Sequence, residues 1–266
     1  MSEPPAVWAR PHFKPSTERA WLDLVVFTRD KPALDVDLGE EDGFPPDYEF
    51  PRTISVRAAS LAEHGDVFEQ YLAGAFRDLA TEQIGDAAAA IDDARYAVSI
   101  EGSIADPRDL AHVQAIRAFQ RFLGRTAAGI AIANDLSLAW QDLRAMTAAE
   151  PQGRLRIEEW IEVLYDDEVR AIHTRGMAQF ARPDIALFDQ PEHRLERAAQ
   201  LLRHIAHLEA HGTLYGERST IAVEGPSSAS PARVTVGLAR LSEDRCKALA
   251  VRSGTIVVEG WPSGIA

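Results

Sequence analysis

The stretch from Asp106 to Gly124 narrows the possible folds more than any other, because both ends of a helix are marked there and a short apolar segment flanks each side. Asp106 can cap the first turn, Pro107 suits the first helical position because its missing N–H is not needed there, and Asp109 favours the positive end of the helix dipole. Gly124 supplies the stop. At about 100° per residue, Ala111, Ala115, Ile116, Phe119, Phe122 and Leu123 share one face, while Gln114, Arg117, Gln120 and Arg121 share the other. The spacing predicts an amphipathic helix over 107–123. Tyr96 to Ile100 before it and Gly129 to Ala133 after it read as strands, with Glu101-Gly102-Ser103 as the turn.

The same grammar extends outwards. Eight of the fifteen prolines fall before residue 52, where the backbone is expected to be extended and irregular except for a buried strand at Trp21 to Phe27. Ser60 and Glu63 form a capping-box pair for a helix from about Leu61 to Ile84, stopped by Gly85. After the polar link Ala149 to Gly153, strands are expected at Leu155 to Tyr165, Val169 to Met177 and Asp184 to Phe188. A helix over Glu192 to His211 and strands at Thr220 to Val223, Val234 to Leu238 and Thr255 to Val258 complete the chain. The expected class is α+β, with mixed, largely antiparallel sheets packed against three main helices. Its divisions are an N-terminal segment (1–52), a first half (53–150) and a second half (151–266). Ile100-Glu101-Gly102 and Val223-Glu224-Gly225 suggest two similar halves, although Val258-Glu259-Gly260 repeats the same three-residue pattern.

Composition excludes several classes. The balance of 46% hydrophobic and 26% charged residues is that of a globular protein. A net charge of -13 with scattered basic residues argues against nucleic acid, which needs a concentrated basic face. One cysteine, Cys246, leaves no intramolecular disulfide and no thiolate metal cluster. The start lacks a signal-peptide pattern and no run approaches the roughly 20 apolar residues of a membrane span, so a cytoplasmic, membrane-free protein is expected.

Candidate chemistry is sparse. His204, His207 and His211 lie within about 60° on one helix and can in principle share a divalent metal, though they sit on the polar flank beside the helix end. His207-Leu208-Glu209-Ala210-His211 differs from a zincin helix, in which the glutamate directly follows the first histidine. His112 falls in the apolar face of the 107–123 helix and reads as a core histidine hydrogen-bonded to a neighbouring strand. Cys246, between Arg245 and Lys247, reads as an ordinary small residue. The acidic groups Glu40-Glu41-Asp42, Asp92-Asp93 and Asp166-Asp167-Glu168 read as turn residues.

The segment His173-Thr174-Arg175-Gly176-Met177-Ala178-Gln179-Phe180-Ala181-Arg182-Pro183-Asp184-Ile185 places a threonine ahead of a glycine, then a phenylalanine, then a proline and an acidic residue. In this it resembles an uncharacterised bacterial domain family, the domain of unknown function 4261 type, with Ala181 standing where that family has glycine. The resemblance implies fold rather than activity, since the family brings no established chemistry. Gly176 suits a turn that needs positive φ, and His173 and Arg175 are the members whose side chains can serve a ligand. The plainer expectation for both is a cross-strand pair or a surface position.

Two functions follow. One is a non-catalytic binding protein of accessory, regulatory or immunity type, without cofactor, acting on a protein partner through its acidic surface. The other is a metal-dependent hydrolase that holds a divalent transition metal on His204, His207 and His211. Whether the chain is an enzyme stays open at this level, as does its oligomeric state.

Overall fold

The computed structural model describes residues 6–35, 42–148, 155–215, 219–224, 233–248 and 255–259, with backbone only at 221–224 and 233–236. Five strands make the first sheet: β1 (Arg19–Thr28), β2 (Ile54–Ser60), β3 (Tyr96–Ala105), β4 (Gly129–Asn134) and β5 (Ala139–Asp142). Their order is β2-β3-β1-β4-β5, antiparallel throughout. The apolar run 21–27 is thus the middle strand. Leu22, Leu24 and Val26 point to one core and Val25 and Phe27 to another, so burial on both faces explains a run without polar alternation.

Glu101-Gly102-Ser103 is not a turn. β3 runs on through it, and Gly102 pairs with Leu22 on one side and Ile54 on the other. The glycine is needed for space and conformation, since it sits at φ +148° and a Cβ there would come 2.1 Å from the carbonyl oxygen of Thr53.

The expected helix over 61–84 is divided into α1 (Leu61–His64), α2 (Glu69–Leu72) and α3 (Ala75–Ile84), with a 3-10 turn at Gly65–Phe68. Ser60 makes no side-chain cap bond, and Gly74 at φ +80° separates the last two pieces. The breaks let Phe68, Tyr71 and Phe76 wrap one patch of sheet, where Phe27 stacks on Trp140 at 5.9 Å and Phe76 meets Trp140 at 5.2 Å.

The opposite face carries α4 (Ala111–Thr126) and α5 (Leu143–Ala148). A second sheet then contains β6 (Glu162–Asp166), β7 (Ala171–Arg175), β8 (Ile185–Phe188), β9 (Thr220–Glu224), β10 (Arg233–Arg240) and β11 (Ile256–Glu259), with α6 (Leu195–Ala210) and α7 (Glu243–Ala248). Its order is β6-β7-β8-β11-β10-β9, with β8 and β11 parallel and the other pairs antiparallel. The start of the expected strand 155–165 is instead a 3-10 turn at Ile157–Glu159.

The fold is therefore α+β, and the two sheets differ in strand order. One apolar cluster joins Leu24 and Val26 of β1, Ile116 and Leu123 of α4, Ile185 of β8 and Leu202 and Ile205 of α6. Among the described residues no helix is long and apolar enough to cross a membrane. The link at 149–153 and the glycines at 225 and 260 lie outside the described residues.

Candidate functional site

The helix expected over 107–123 folds differently from its pattern at both ends and on its polar side. α4 starts at Ala111, and the carboxylate of Asp109 accepts the Ala111 N–H at 3.0 Å. Asp106 does not cap it. Gly124 lies inside the last turn rather than after it, packed where a Cβ would come 2.0 Å from Thr147 Oγ1. Every residue from Ala111 to Leu123 is buried, including Gln114, Arg117, Gln120 and Arg121, which an amphipathic pattern assigns to solvent.

Three covers close over that polar stripe. The N-terminal strap, residues 6–16, crosses the start of α4: Trp8 O accepts the Leu110 N–H at 2.9 Å, and Gln114 Oε1 accepts the Trp8 N–H at 2.9 Å. Gln114 Nε2 donates onward to Ala6 O and Gly43 O, both at 3.3 Å. From α5, Met146 receives Arg117 and, through its carbonyl, Arg121 at 3.3 Å. From the 157–159 turn, Glu159 binds Arg117 at 2.8 Å, and the Arg117 guanidinium lies 4.9 Å from the ring centre of Trp160. Burial pulls Arg117 down to about 10, partly offset by Glu159, so it stays cationic. Arg125 closes the stripe with a bidentate pair to buried Asp42, at 2.9 and 2.7 Å.

Between these covers lies a cavity of about 500 Å³. Among the described residues, Trp8, Gln114, Arg117, Ala118 and Arg121 line it together with Trp140, Gln141, Met146, Arg156, Glu158 and Glu162. Its polar groups hold one another in place. Gln141 accepts from Arg117 at 2.9 Å and donates to the Glu159 carbonyl, while Gln83 bridges Trp140 N–H and Leu138 O.

A second group of buried charges forms a structural clamp. Asp106 sits between Arg10 at 2.6 Å and Arg182 at 2.9 Å, all three side chains sealed from solvent. Each remaining guanidinium nitrogen finds a carbonyl: Arg10 on Ala210, Pro107 and Phe180, Arg182 on Ala181, Thr213, Lys14 and Gly212. The triad thus ties the strap, the lead-in to α4 and the end of α6 together. His112 is 1% exposed; its Nε2–H donates to the Gln179 carbonyl at 2.9 Å, and burial pushes its pKa down to about 4. It is a core histidine, held by the 3-10 turn Met177–Phe180 rather than by a strand. Glu209 is fully buried with neither carboxylate oxygen hydrogen-bonded among the described residues, and burial pushes it up to about 8.

His173 is buried in β7, its Nδ1–H directed at Thr174 O at 3.4 Å and its pKa lowered by burial, while Arg175 pairs across to Glu162 in register. Gly176 takes φ +106°, and Ala181 is held in the same left-handed region at φ +53°. His204 and His207 are exposed on α6, and the rings of His207 and His211 lie 4.2 Å apart. Among the described residues no group of three or more His, Cys, Asp or Glu could hold a metal ion. Cys246 is a buried free thiol packed with Ala171 and Ala186. Of the acidic runs, only Asp166 serves its own turn, accepting two backbone N–H groups there; Asp92 and Asp93 pair with Arg77 and Arg29, and Asp42, expected in a turn, is instead buried against Arg125.

Arg10 and the cavity walls carry no motif, and the patterns that contain Asp106 and Gln179 do not point to the roles these residues take. The one signal for the cavity in the sequence was two arginines, Arg117 and Arg121, on an otherwise well-marked core helix. Comparison with family models, curated proteins and solved structures finds no match to this chain.

Proposed function

We propose that the chain is a non-catalytic binding protein whose ligand site is the cavity along the polar stripe of α4. The observation that carries this reading is its position. A space of about 500 Å³ lies where the strap, β5, α4, α5 and the entry to the second sheet converge, and pockets of this size at such junctions commonly hold small ligands. Among the described lining residues there is no His, Cys, Ser, Thr, Tyr or Lys; the groups able to attack or take a proton are carboxylates, of which Asp42 and Glu159 are already held by Arg125 and Arg117. Their cross-bracing favours a rigid, preformed receptor.

A thermal-shift screen of small molecules against the wild type and Ala118→Leu tests this. Ala118 is buried on the cavity wall, and leucine there fills the space. Compounds that stabilise the wild type and not the variant are expected. A screen in which no compound distinguishes the two overturns the reading.

A protein partner rests on a different observation. Trp21 is 39% exposed on β1, and two residues on, Asp23 lies directly opposite Glu101 of β3. Burial, then Asp135 and Glu101, push Asp23 up to about 6. Like charges paired across strands destabilise by a few tenths to about 1 kcal/mol, which a basic partner would offset. Affinity capture with wild type against the Asp23→Asn, Glu101→Gln double variant checks it, and a partner retained equally by both removes this face from consideration.

A further inference from the structure

We infer that Glu209 and the N-terminal strap form a proton-operated latch: the strap stays fastened to the end of α6 while Glu209 holds its proton, and loosens when that proton is lost. The latch is independent of what the cavity binds. His12 N–H donates to His211 O at 3.2 Å and Lys14 N–H to Gly212 O at 2.9 Å, so the strap is bonded to the two residues that follow α6. Arg10 Nε adds a bond to Ala210 O at 3.0 Å. Glycine lets the two segments meet, since Gly212 sits at φ +103° and a Cβ there would come 2.5 Å from Phe13 Cα. Arg182 bridges the joint, its Nη2 donating to Lys14 O on the strap at 2.9 Å and to Gly212 O at 3.2 Å.

Glu209 belongs to this joint, because its own carbonyl accepts the Gly212 N–H at 2.9 Å. Its side chain is fully buried, with neither carboxyl oxygen hydrogen-bonded among the described residues. A neutral carboxyl tolerates such a site far better than a carboxylate, which loses much more hydration. The charged groups acting on it are Arg182, which favours its ionisation, and Asp184, which opposes it; Tyr215 in turn feels Glu209. Asp184 is held by Thr174 and the Met177 N–H, and Arg10 of the strap by Asp106 and carbonyls. His12, His207 and His211 lie at the outer side of the joint. Arg182 is therefore the cation an ionised Glu209 draws on. Its Nη1 bond to Asp106 is charge-assisted, whereas Nη2 binds only neutral carbonyls, so Nη2 costs less to give up, and giving it up unties Lys14. Burial holds Glu209 at about 8 in the closed joint, against its ordinary 4.5 once water reaches it. The open joint thus releases a proton that the closed joint keeps. Opening becomes about tenfold easier per pH unit between those values, about three thousandfold in all, and no easier above 8. Trp8 of the strap lines the α4 cavity, so the latch also sets how often that wall moves.

Amide hydrogen exchange of the full chain from about pH 5 to about pH 9 tests this, with each rate divided by its intrinsic rate at that pH. Trp8, His12 and Lys14 amides read the strap, and Ile116 and Phe119 amides of α4 read global unfolding. Low urea separates the two, because local opening exposes little surface and responds weakly to it. The strap is expected to be less protected than α4 and nearly insensitive to urea. Its protection should fall about tenfold per pH unit up to about 8 and then level off. Glu209→Gln keeps the shape of the side chain and all three histidines of the joint, and should make strap protection flat over the same range. The latch is overturned if wild-type strap protection does not change with pH, which needs no variant to decide. It is equally overturned if the strap exchanges only with α4 and with the same urea response, or if Glu209→Gln keeps the wild-type pH trend.

Discussion

α4 and α6 are both sixteen residues long and both carry an apolar stripe, yet they end in opposite environments. α6 behaves as an amphipathic helix should: Glu196, Arg197, Gln200, Arg203, His204 and His207 face solvent, while Leu201, Leu202 and Ile205 are buried. α4 buries thirteen consecutive residues, and its polar stripe meets the strap, α5 and the 157–159 turn instead of water. Their exceptions are also opposite. The arginines of α4 are matched by Glu159, Gln141 and Asp42, whereas the one carboxyl that α6 turns inward, Glu209, has no hydrogen-bond partner among the described residues. A polar stripe states which side chains need partners. It does not state whether water or protein supplies them.

The contrast can be broken most forcefully at the clamp between the two helices. Asp106→Ala leaves Arg10 and Arg182 buried without their shared carboxylate, and should cost about 3–5 kcal/mol by urea denaturation. A loss under about 1 kcal/mol would show that the triad does not hold α4 to α6. Gln114→Ala removes the partner of the Trp8 N–H and of two carbonyls, with an expected loss of about 1–3 kcal/mol.

Glu209→Gln should act with the opposite sign, and only at higher pH. Folding raises the Glu209 pKa from 4.5 to about 8, so the folded chain holds a proton that the unfolded chain releases. Its favourable contribution is complete below pH 4.5 and is lost as pH rises through 8. Glutamine keeps a neutral group throughout. The variant should therefore gain on the wild type by about 1 kcal/mol or more above pH 8, with the difference fading toward pH 4.5. Parallel stability curves across that range would mean that Glu209 is solvated or paired. The smallest effect belongs on the outer side of α6, where His204→Ala should change stability by less than about 0.5 kcal/mol.

Much of the element map was legible. Strand β1, the strands at β4 and β8, α6 with its stop at Gly212 and the placement of β9, β10 and β11 follow from apolar runs and glycine punctuation. The failures share a cause. Glu101-Gly102-Ser103 has turn composition, but Gly102 is there because a neighbouring strand passes too close for a side chain. Asp106-Pro107 has the form of a helix start, but Arg10 and Arg182, 96 and 76 residues away, take the carboxylate. The 61–84 helix breaks because its aromatic stripe follows the sheet patch around Phe27 and Trp140 rather than a straight cylinder. The cavity was invisible for the same reason, since its described walls come from six separated segments.

By itself the sequence determined that this chain is α+β, that residues 21–27 and 129–133 are buried strands, and that 107–123 holds a core helix. Those are local facts: side-chain periodicity and backbone preference act over a few residues. Only the tertiary structure decided what covers the second face of that helix. The two arginines expected on the polar side of α4 are buried because the strap, α5 and the 157–159 turn bring Gln114's carbonyl partners, Met146 and Glu159 over them. Burial of a charge depends on distant partners that offset its lost hydration, and no local pattern encodes where those partners arrive.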